Sequence, residues 1–349
     1  MNRTIIFILF FLCSIGHSQS KTNQLLDTWV NTKTEMKDGS KYISFYSQEK
    51  RYIEFTFNKD YYVLNSYPAR LNQGEIQNYK LNIDRIIASP NFEFNIEKLT
   101  QDSLVISEQM VGLTDDKLKR YYLSRKSSLI KKAKKKNQNS INLLATQNFT
   151  PKYKGNLTLD LNNKLRNHKG TLEISGFLNL KPHERKAEVK VSKIESDSEI
   201  MTNYTIKILN KTYKKWNLKG FENYEMISIP FIIVVRNVGR SRGCKIKFFS
   251  QLLNDLNVDY GKPYENMTES SKYFGLGIAS YESRDFESAI TNFTKSYEWD
   301  HSFLDALYNR AASYYENEQL DSACSDWKKL KELGQINGEL LYNTNCEIN

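Results

Sequence analysis

Between Leu25 and Lys126 apolar and polar side chains alternate with a period of two. The pattern is clearest in Tyr42-Ile43-Ser44-Phe45-Tyr46, Tyr52-Ile53-Glu54-Phe55-Thr56-Phe57 and Phe92-Glu93-Phe94-Asn95-Ile96. Further strands are expected at residues 61–64, 79–83, 103–107 and 119–123. Turn signals such as Asn58-Lys59-Asp60 and Thr100-Gln101-Asp102 separate them, and this spacing predicts a small barrel or sandwich. From residue 149 the order changes. Strands are expected at 171–180 and 187–194, a helix over 198–216 with Ile200, Tyr204, Ile208, Leu209 and Tyr213 on its apolar face, and a strand at 227–235. This β-β-α-β order predicts a helix on one face of a small sheet. Near the C-terminus a third period appears. In frames that start at Ser270 and Leu304, thirty-four residues apart, small residues recur at Gly277 and Ala311 and at Ala289 and Ala323, with large aromatics at Phe293 and Trp327. Small-against-large spacing of this kind packs pairs of antiparallel helices that must stack on one another to complete a core.

The first helical unit, with Tyr273, Leu276, Gly277, Ala289 and Phe293, resembles the tetratricopeptide repeat, and Ala311, Tyr314, Ala323 and Trp327 carry the likeness into the second. His301 and Gln335 stand where the family usually has a closing proline. The resemblance implies a concave face lined by the first helix of each pair, here Phe274, Ile278 and Tyr281, then Tyr308, Ala312 and Tyr315, on which a protein or an extended peptide would rest. The N-terminal part is similar to bacterial lipocalin-like domains through Leu26-Asp27-Thr28-Trp29, the run from Phe94 to Leu99 into Ser103-Leu104-Val105-Ile106, and Arg120-Tyr121-Tyr122-Leu123. Trp29 then either closes the base of a barrel or touches a ligand inside it. In the middle, Thr150-Pro151-Lys152-Tyr153-Lys154-Gly155, Lys214-Lys215-Trp216 and the strand from Ile227 to Ile233 resemble the C-terminal domain of TonB-type energy transducers. That resemblance implies a docking module, with an outer-membrane transporter as a partner bound by strand addition.

The expected fold class is multidomain: an all-β lipocalin-like barrel (22–126), a basic linker (127–140), an α+β (β-β-α-β) TonB C-terminal-like domain (141–240), and an all-α tetratricopeptide repeat domain with a capping helix (262–349). The linker is assigned from seven Lys and Arg with no acid over residues 125–137, since such a run repels itself as a helix. Ahead of these, Arg3, the apolar run from Ile5 to Ile15 and the small residues Gly16 and Ser18 read as a signal peptide, residues 1–18, cut before Gln19. The run is too short for a bilayer span, so the mature chain is expected in the periplasm or cell envelope with no stable membrane span.

Charge changes the picture in one respect. The chain carries +10, yet from residue 270 onward there are seven Lys and Arg against thirteen Asp and Glu, a balance of −6. An acidic tail on a basic body either pairs internally or serves two partners. Three cysteines follow the leader. Cys324 and Cys346 are the expected disulfide in an exported chain, closing a loop worth about 3 kcal/mol, and Cys244 is the odd one.

No metal-ligand spacing, catalytic triad, P-loop or dinucleotide motif occurs, and His168, His183 and His301 stand in separate segments. The reading is therefore a non-enzymatic protein without cofactor, metal or nucleic acid, whose partners are envelope proteins or peptides. Two alternatives stay open: a carrier of a small apolar ligand in the N-terminal barrel, and a membrane-anchored energy transducer whose leader is retained.

Overall fold

The computed structural model describes residues 23–43, 52–71, 74–238, 241–250 and 262–347. The expected leader and residues 44–46 of one expected strand lie outside them, and Tyr42 and Ile43 take no strand conformation. The chain divides into two compact units. The first takes its described residues from Met1–Thr32, Glu49–Ile106 and Tyr122–Val258, the second from Lys33–Gln48, Ser107–Tyr121 and Asp259–Asn349. Among the described residues no helix is long and apolar enough to cross a membrane.

Nine strands form one sheet: β1 (Thr28–Met36), β2 (Glu54–Phe57), β3 (Tyr61–Asn65), β4 (Glu75–Asn78), β5 (Lys80–Asn82), β6 (Arg85–Ser89), β7 (Phe92–Leu99), β8 (Ser103–Met110) and β9 (Lys119–Arg125). Their order is β4-β3-β2-β1-β9-β8-β7-β6-β5, so every neighbour is also a neighbour in sequence except β1 beside β9. The two end strands, β4 and β5, are joined through Tyr79, and Gln77 Nε2 donates to the Ala88 carbonyl across the gap at 3.2 Å. The sheet is thus a nearly closed, barrel-like meander. Aromatic alternation builds its core in the first unit: Phe55, Phe57, Tyr62, Tyr79 and Phe94 interlock with ring centroids 5.6–6.2 Å apart. Trp29 is fully buried and donates its Nε1 proton to the Leu25 carbonyl at 2.9 Å. The Arg125 guanidinium lies 4.9 Å over its ring and binds Asp27 at 2.8 Å, tying the start of β1 to the end of β9.

The basic stretch departs from expectation. Lys126–Lys136 is a helix, α1, rather than an unstructured linker. Ile130 and Ala133 pack against the apolar core of the following sheet, the Asn137 side chain caps the Ala133 carbonyl at 2.8 Å, and Lys134, Lys135 and Lys136 stand at the negative end of the helix dipole. Burial and capping outweigh repulsion among side chains that reach into water.

That sheet contains β10 (Asn142–Leu144), β12 (Gly170–Lys181), β13 (Lys186–Ser196), β15 (Met226–Val238) and β16 (Ser241–Phe248). A short pair, β11 (Lys152–Tyr153) with β14 (Trp216–Asn217), stands apart. Strands β12 and β15 are central, β15 is nearly all apolar, and β15 is paired on its other side by β10 and then β16. Two helices cover one face. The first, α2 (Leu157–Leu165), has no counterpart in the expected β-β-α-β order; Asn156 caps it and Leu157, Leu161 and Leu165 make its buried stripe. The second, α3 (Glu199–Asn210), stops short of Trp216 and buries Met201, Thr205, Ile208 and Leu209, whereas Ile200 is 74% exposed. The expected apolar face holds at Ile208, Leu209 and Tyr213 and fails at Ile200 and Tyr204, whose places in the core go to Met201 and the threonines. Thr205 satisfies its hydroxyl on the Met201 carbonyl at 2.8 Å and so presents only a methyl group to the core. A 3-10 turn over Tyr213–Lys215 then delivers Trp216 into β14, edge-on to Tyr153.

Among the described residues five further helices follow: α4 (Lys262–Glu282), α5 (Phe286–Trp299), α6 (Leu304–Glu316), α7 (Leu320–Glu332) and α8 (Ile336–Asn345).

Candidate protein-interaction face

The thirty-four-residue frame becomes two helix hairpins, α4–α5 and α6–α7, followed by α8. Small residues set the closeness of each pair. A Cβ on Gly277 would stand 2.5 Å from the Phe293 ring, and one on Gly338 would stand 2.3 Å from Leu330 Cβ. Ala289, Phe293, Ala311 and Ala323 are fully buried, and Trp327 is nearly so. Buried Ser270 and Ser296 donate to each other's carbonyls at 2.9 Å, joining α4 to α5 where no apolar residue stands. The hairpin turns repeat as well: Arg284 (φ 62°) and Glu318 (φ 60°) are both left-handed and thirty-four residues apart.

Arg310 carries the main polar link between helices, and sequence reasoning missed it. From α6 it grips Asp326 of α7 with two hydrogen bonds, 2.6 and 2.8 Å, and reaches Thr294 of α5 at 3.3 Å. Its position one turn before Ser313, among alternately small and aromatic residues, gave no signal; only the fold brings Asp326 opposite. Cys324 and Cys346 are joined, with Cα atoms 5.8 Å apart, which ties α8 to α7.

The proposed inner-wall residues are not equally open. Phe274 is wedged between Phe293 and Phe303, ring centroids 5.6 and 4.8 Å away. Ile278 is half-buried, and so is Tyr281, which packs on Phe286. The Tyr308 hydroxyl accepts the Gly338 N–H of α8 at 3.1 Å. Burial pushes this hydroxyl up to about 12, the Gly338 N–H draws it back, and the carboxylates of Asp38, Asp116 and Asp305 push it up again. Tyr315 rests against Trp327 yet stays 49% exposed, the most open of the five.

Part of the chain aligns with known proteins. It is 41% identical over 69 residues to a protein named STIP1 homolog from Dictyostelium discoideum, covering 20% of this chain and 12% of that protein. It is 42% identical over 59 residues to the Hsp70-Hsp90 organizing protein of Triticum aestivum, covering 17% and 10%. Both alignments fall in the C-terminal region. The C-terminal helices fit tetratricopeptide-like repeats. No protein-family model matches the chain, which spans about a tenth of the length of either relative.

Outside the repeats, two features could bear function. Strand β13 is an outer strand of the five-stranded sheet, paired with β12 and carrying Val191 and Ile194 partly exposed. In the first unit, buried Glu54 binds Lys126, Tyr52 and Asn65, while Lys152 donates to the Pro68 carbonyl beside them. Burial raises the Glu54 carboxyl, but the Lys126 ammonium and the Tyr52 hydroxyl more than offset this and hold it below the ordinary range. Burial and the adjacent Lys126 push the Lys152 amine down to about 8, against a partial lift from Glu54. Cys244 is a buried free thiol that burial pushes up to about 12. Among the described residues no group of three or more His, Cys, Asp or Glu could hold a metal ion.

Proposed function

We propose that this chain is a non-enzymatic, exported envelope protein whose C-terminal repeats hold another protein or a peptide. The observation that carries the reading is the repeat itself. Helix pairs with glycine-against-phenylalanine packing lie in a region about two-fifths identical to a STIP1 homolog and to a protein whose name makes it an organiser of Hsp70 and Hsp90. Stacked hairpins of this sort bury one side of each helix and leave the other for a ligand. The partner is a protein by the same token, and its identity is for experiment to supply.

The test is affinity capture from an envelope extract with the full chain and with Tyr281→Ala and Tyr315→Ala together. The expected result is loss of one or more captured proteins from the variant. Identical partner lists would remove these repeats from the mechanism.

A second docking mode rests on β13. Its outer edge offers main-chain groups, and its exposed Val191 and Ile194 offer small apolar anchors, so it suits strand addition by an outer-membrane transporter or similar partner, as in TonB-like docking. Proline at position 191 would block such pairing while leaving the repeats untouched.

A further inference from the structure

The second unit places two of the chain's own turns on the repeats. One follows β1, where the Met36 N–H donates to the Ser40 carbonyl and Asp38 binds both the Ser40 N–H and its hydroxyl. The other precedes β9, around Thr114–Lys117. The turns are linked to each other: the Lys37 N–H donates to the Leu118 carbonyl at 2.8 Å, and Lys37 Nζ pairs with Asp115 at 2.9 Å.

Together they meet α6 and the corner between α7 and α8. The Lys41 N–H donates to the Gly334 carbonyl at 2.9 Å, the Gln335 amide to the Lys41 carbonyl at 3.0 Å, and the Ile336 N–H to the Ser40 hydroxyl at 3.0 Å. Lys117 pairs with Asp305, one turn before Tyr308. Backbones approach closely here because glycine stands on both sides. Gly39 (φ +98°) lies under Ile336, and Gly334 (φ +74°) lies under Lys41, and a Cβ on either would come within 3.1 Å of its neighbour.

Asp305 and Tyr308 belong to the first helix of the second hairpin, on the side where the repeat reading puts a ligand. We infer that the turns around Ser40 and Lys117 cover the Asp305 end of this docking face in place of a partner, and that the partner is a protein segment carrying lysine beside serine or threonine that must displace them. The inference rests on the proposed repeat-mediated binding. Chemistry selects the occupant. The region from residue 270 is acidic by −6, and the turns bring it the Lys117 ammonium, the Ser40 hydroxyl and main-chain groups that any extended segment possesses, while Asp38, Asp115 and Asp116 of the turns are held by Ser40, Lys37 and Lys117. Displacement is within reach. The side chains of Lys117 and Asp305 remain 42% and 34% exposed, so the pair adds little in water, and Ile336 stays 45% exposed under the turn. A face open only part of the time weakens apparent affinity in proportion to the open fraction.

The test uses the full chain and a labelled peptide that copies residues 37–42, Lys-Asp-Gly-Ser-Lys-Tyr, followed by fluorescence anisotropy. Ser40→Ala combined with Lys117→Glu loosens the turns and should bind the peptide at least about tenfold more tightly than the parent. Adding Asp305→Lys to that variant restores an ion pair of reversed sign and should return affinity to the parent level or below. Circular dichroism of each variant tests that the helices remain. Equal affinity for parent and loosened chains, no binding by the loosened chain, or equal binding of a scrambled peptide would overturn the inference. If capture from extracts is the same for parent and loosened chains, the inference falls while repeat-mediated binding stands; if neither captures protein, the repeat reading itself falls.

Discussion

At the scale of single residues, the buried cluster around Glu54 shows how one carboxylate governs two amines. Glu54 neutralises Lys126, which leaves Lys152 beside it without a counter-charge of its own. The folded chain therefore holds the Lys152 proton less tightly, near 8, than the unfolded chain, whose lysine keeps its ordinary value of 10.5. Between those values the unfolded state binds more protons, so this group makes stability rise with pH from about 8 to 10.5 and imposes its full cost below 8. Lys152→Met is accordingly expected to be more stable than the parent at pH 7, with an advantage that shrinks as pH climbs through that window. Urea unfolding of both proteins from pH 7 to 10.5 checks this, and an advantage that stays constant with pH would refute it. The sequence marked Lys152 only as part of the run from Thr150 to Gly155 and gave no sign of its charged surroundings. Its setting comes from Lys126 and Glu54, distant in the chain and joined only by the fold.

Among the elements, glycines in α4 separate packing from propensity. Gly277 and Gly275 sit two residues apart in the same helix, but a Cβ on Gly277 would strike Phe293 and one on Gly275 would meet nothing within 4 Å. Gly277→Ala is expected to destabilise the repeats by about 1–3 kcal/mol through overpacking. Gly275→Ala is expected to stabilise them by about 0.5–1 kcal/mol, because it limits the unfolded chain. Thermal unfolding followed at 222 nm gives both signs, and two changes of the same sign would contradict the packing seen here. The helix period located these positions, but it could not say which side of α4 met α5. The same shortfall explains α3, where counting threonine as polar hid the burial of Thr202 and Thr205 and put the exposed Ile200 and Tyr204 on the apolar face. It explains α1 too, where charge alone was weighed and the burial of Ile130 and Ala133 was not visible.

Over the whole molecule, segments far apart in sequence build single units. The second unit joins residues near position 40 to residues near 336, and the Ile336 N–H to Ser40 hydrogen bond closes a separation of 296 residues. Residues 262–349 produced alone lose the turns that seal Gly334, Gln335 and Ile336. Their thermal midpoint is expected to fall by roughly 4–8 °C for each kcal/mol of lost contact. Thermal unfolding of the fragment by circular dichroism, with the Cys324–Cys346 disulfide intact, and hydrogen exchange of the same helices in the fragment and in the full chain give the comparison. Equal protection in both would show that the turns add nothing to the repeats.

The amino-acid order alone determined what depends on near neighbours. Alternation marked most strands of the first sheet, the thirty-four-residue frame marked the helix hairpins, and the likeness to tetratricopeptide repeats put Phe274, Ile278, Tyr281, Tyr308 and Tyr315 on one face. Tertiary structure decided what depends on distant partners. It set which of those side chains remain open, because Phe293, Phe303 and Gly338 cover some of them, and it set the face of α3, the helix in the basic stretch, and the turns laid against Asp305. Periodicity is a property of a few consecutive residues, whereas exposure, charge pairing and occupancy are fixed by whatever the rest of the chain brings alongside.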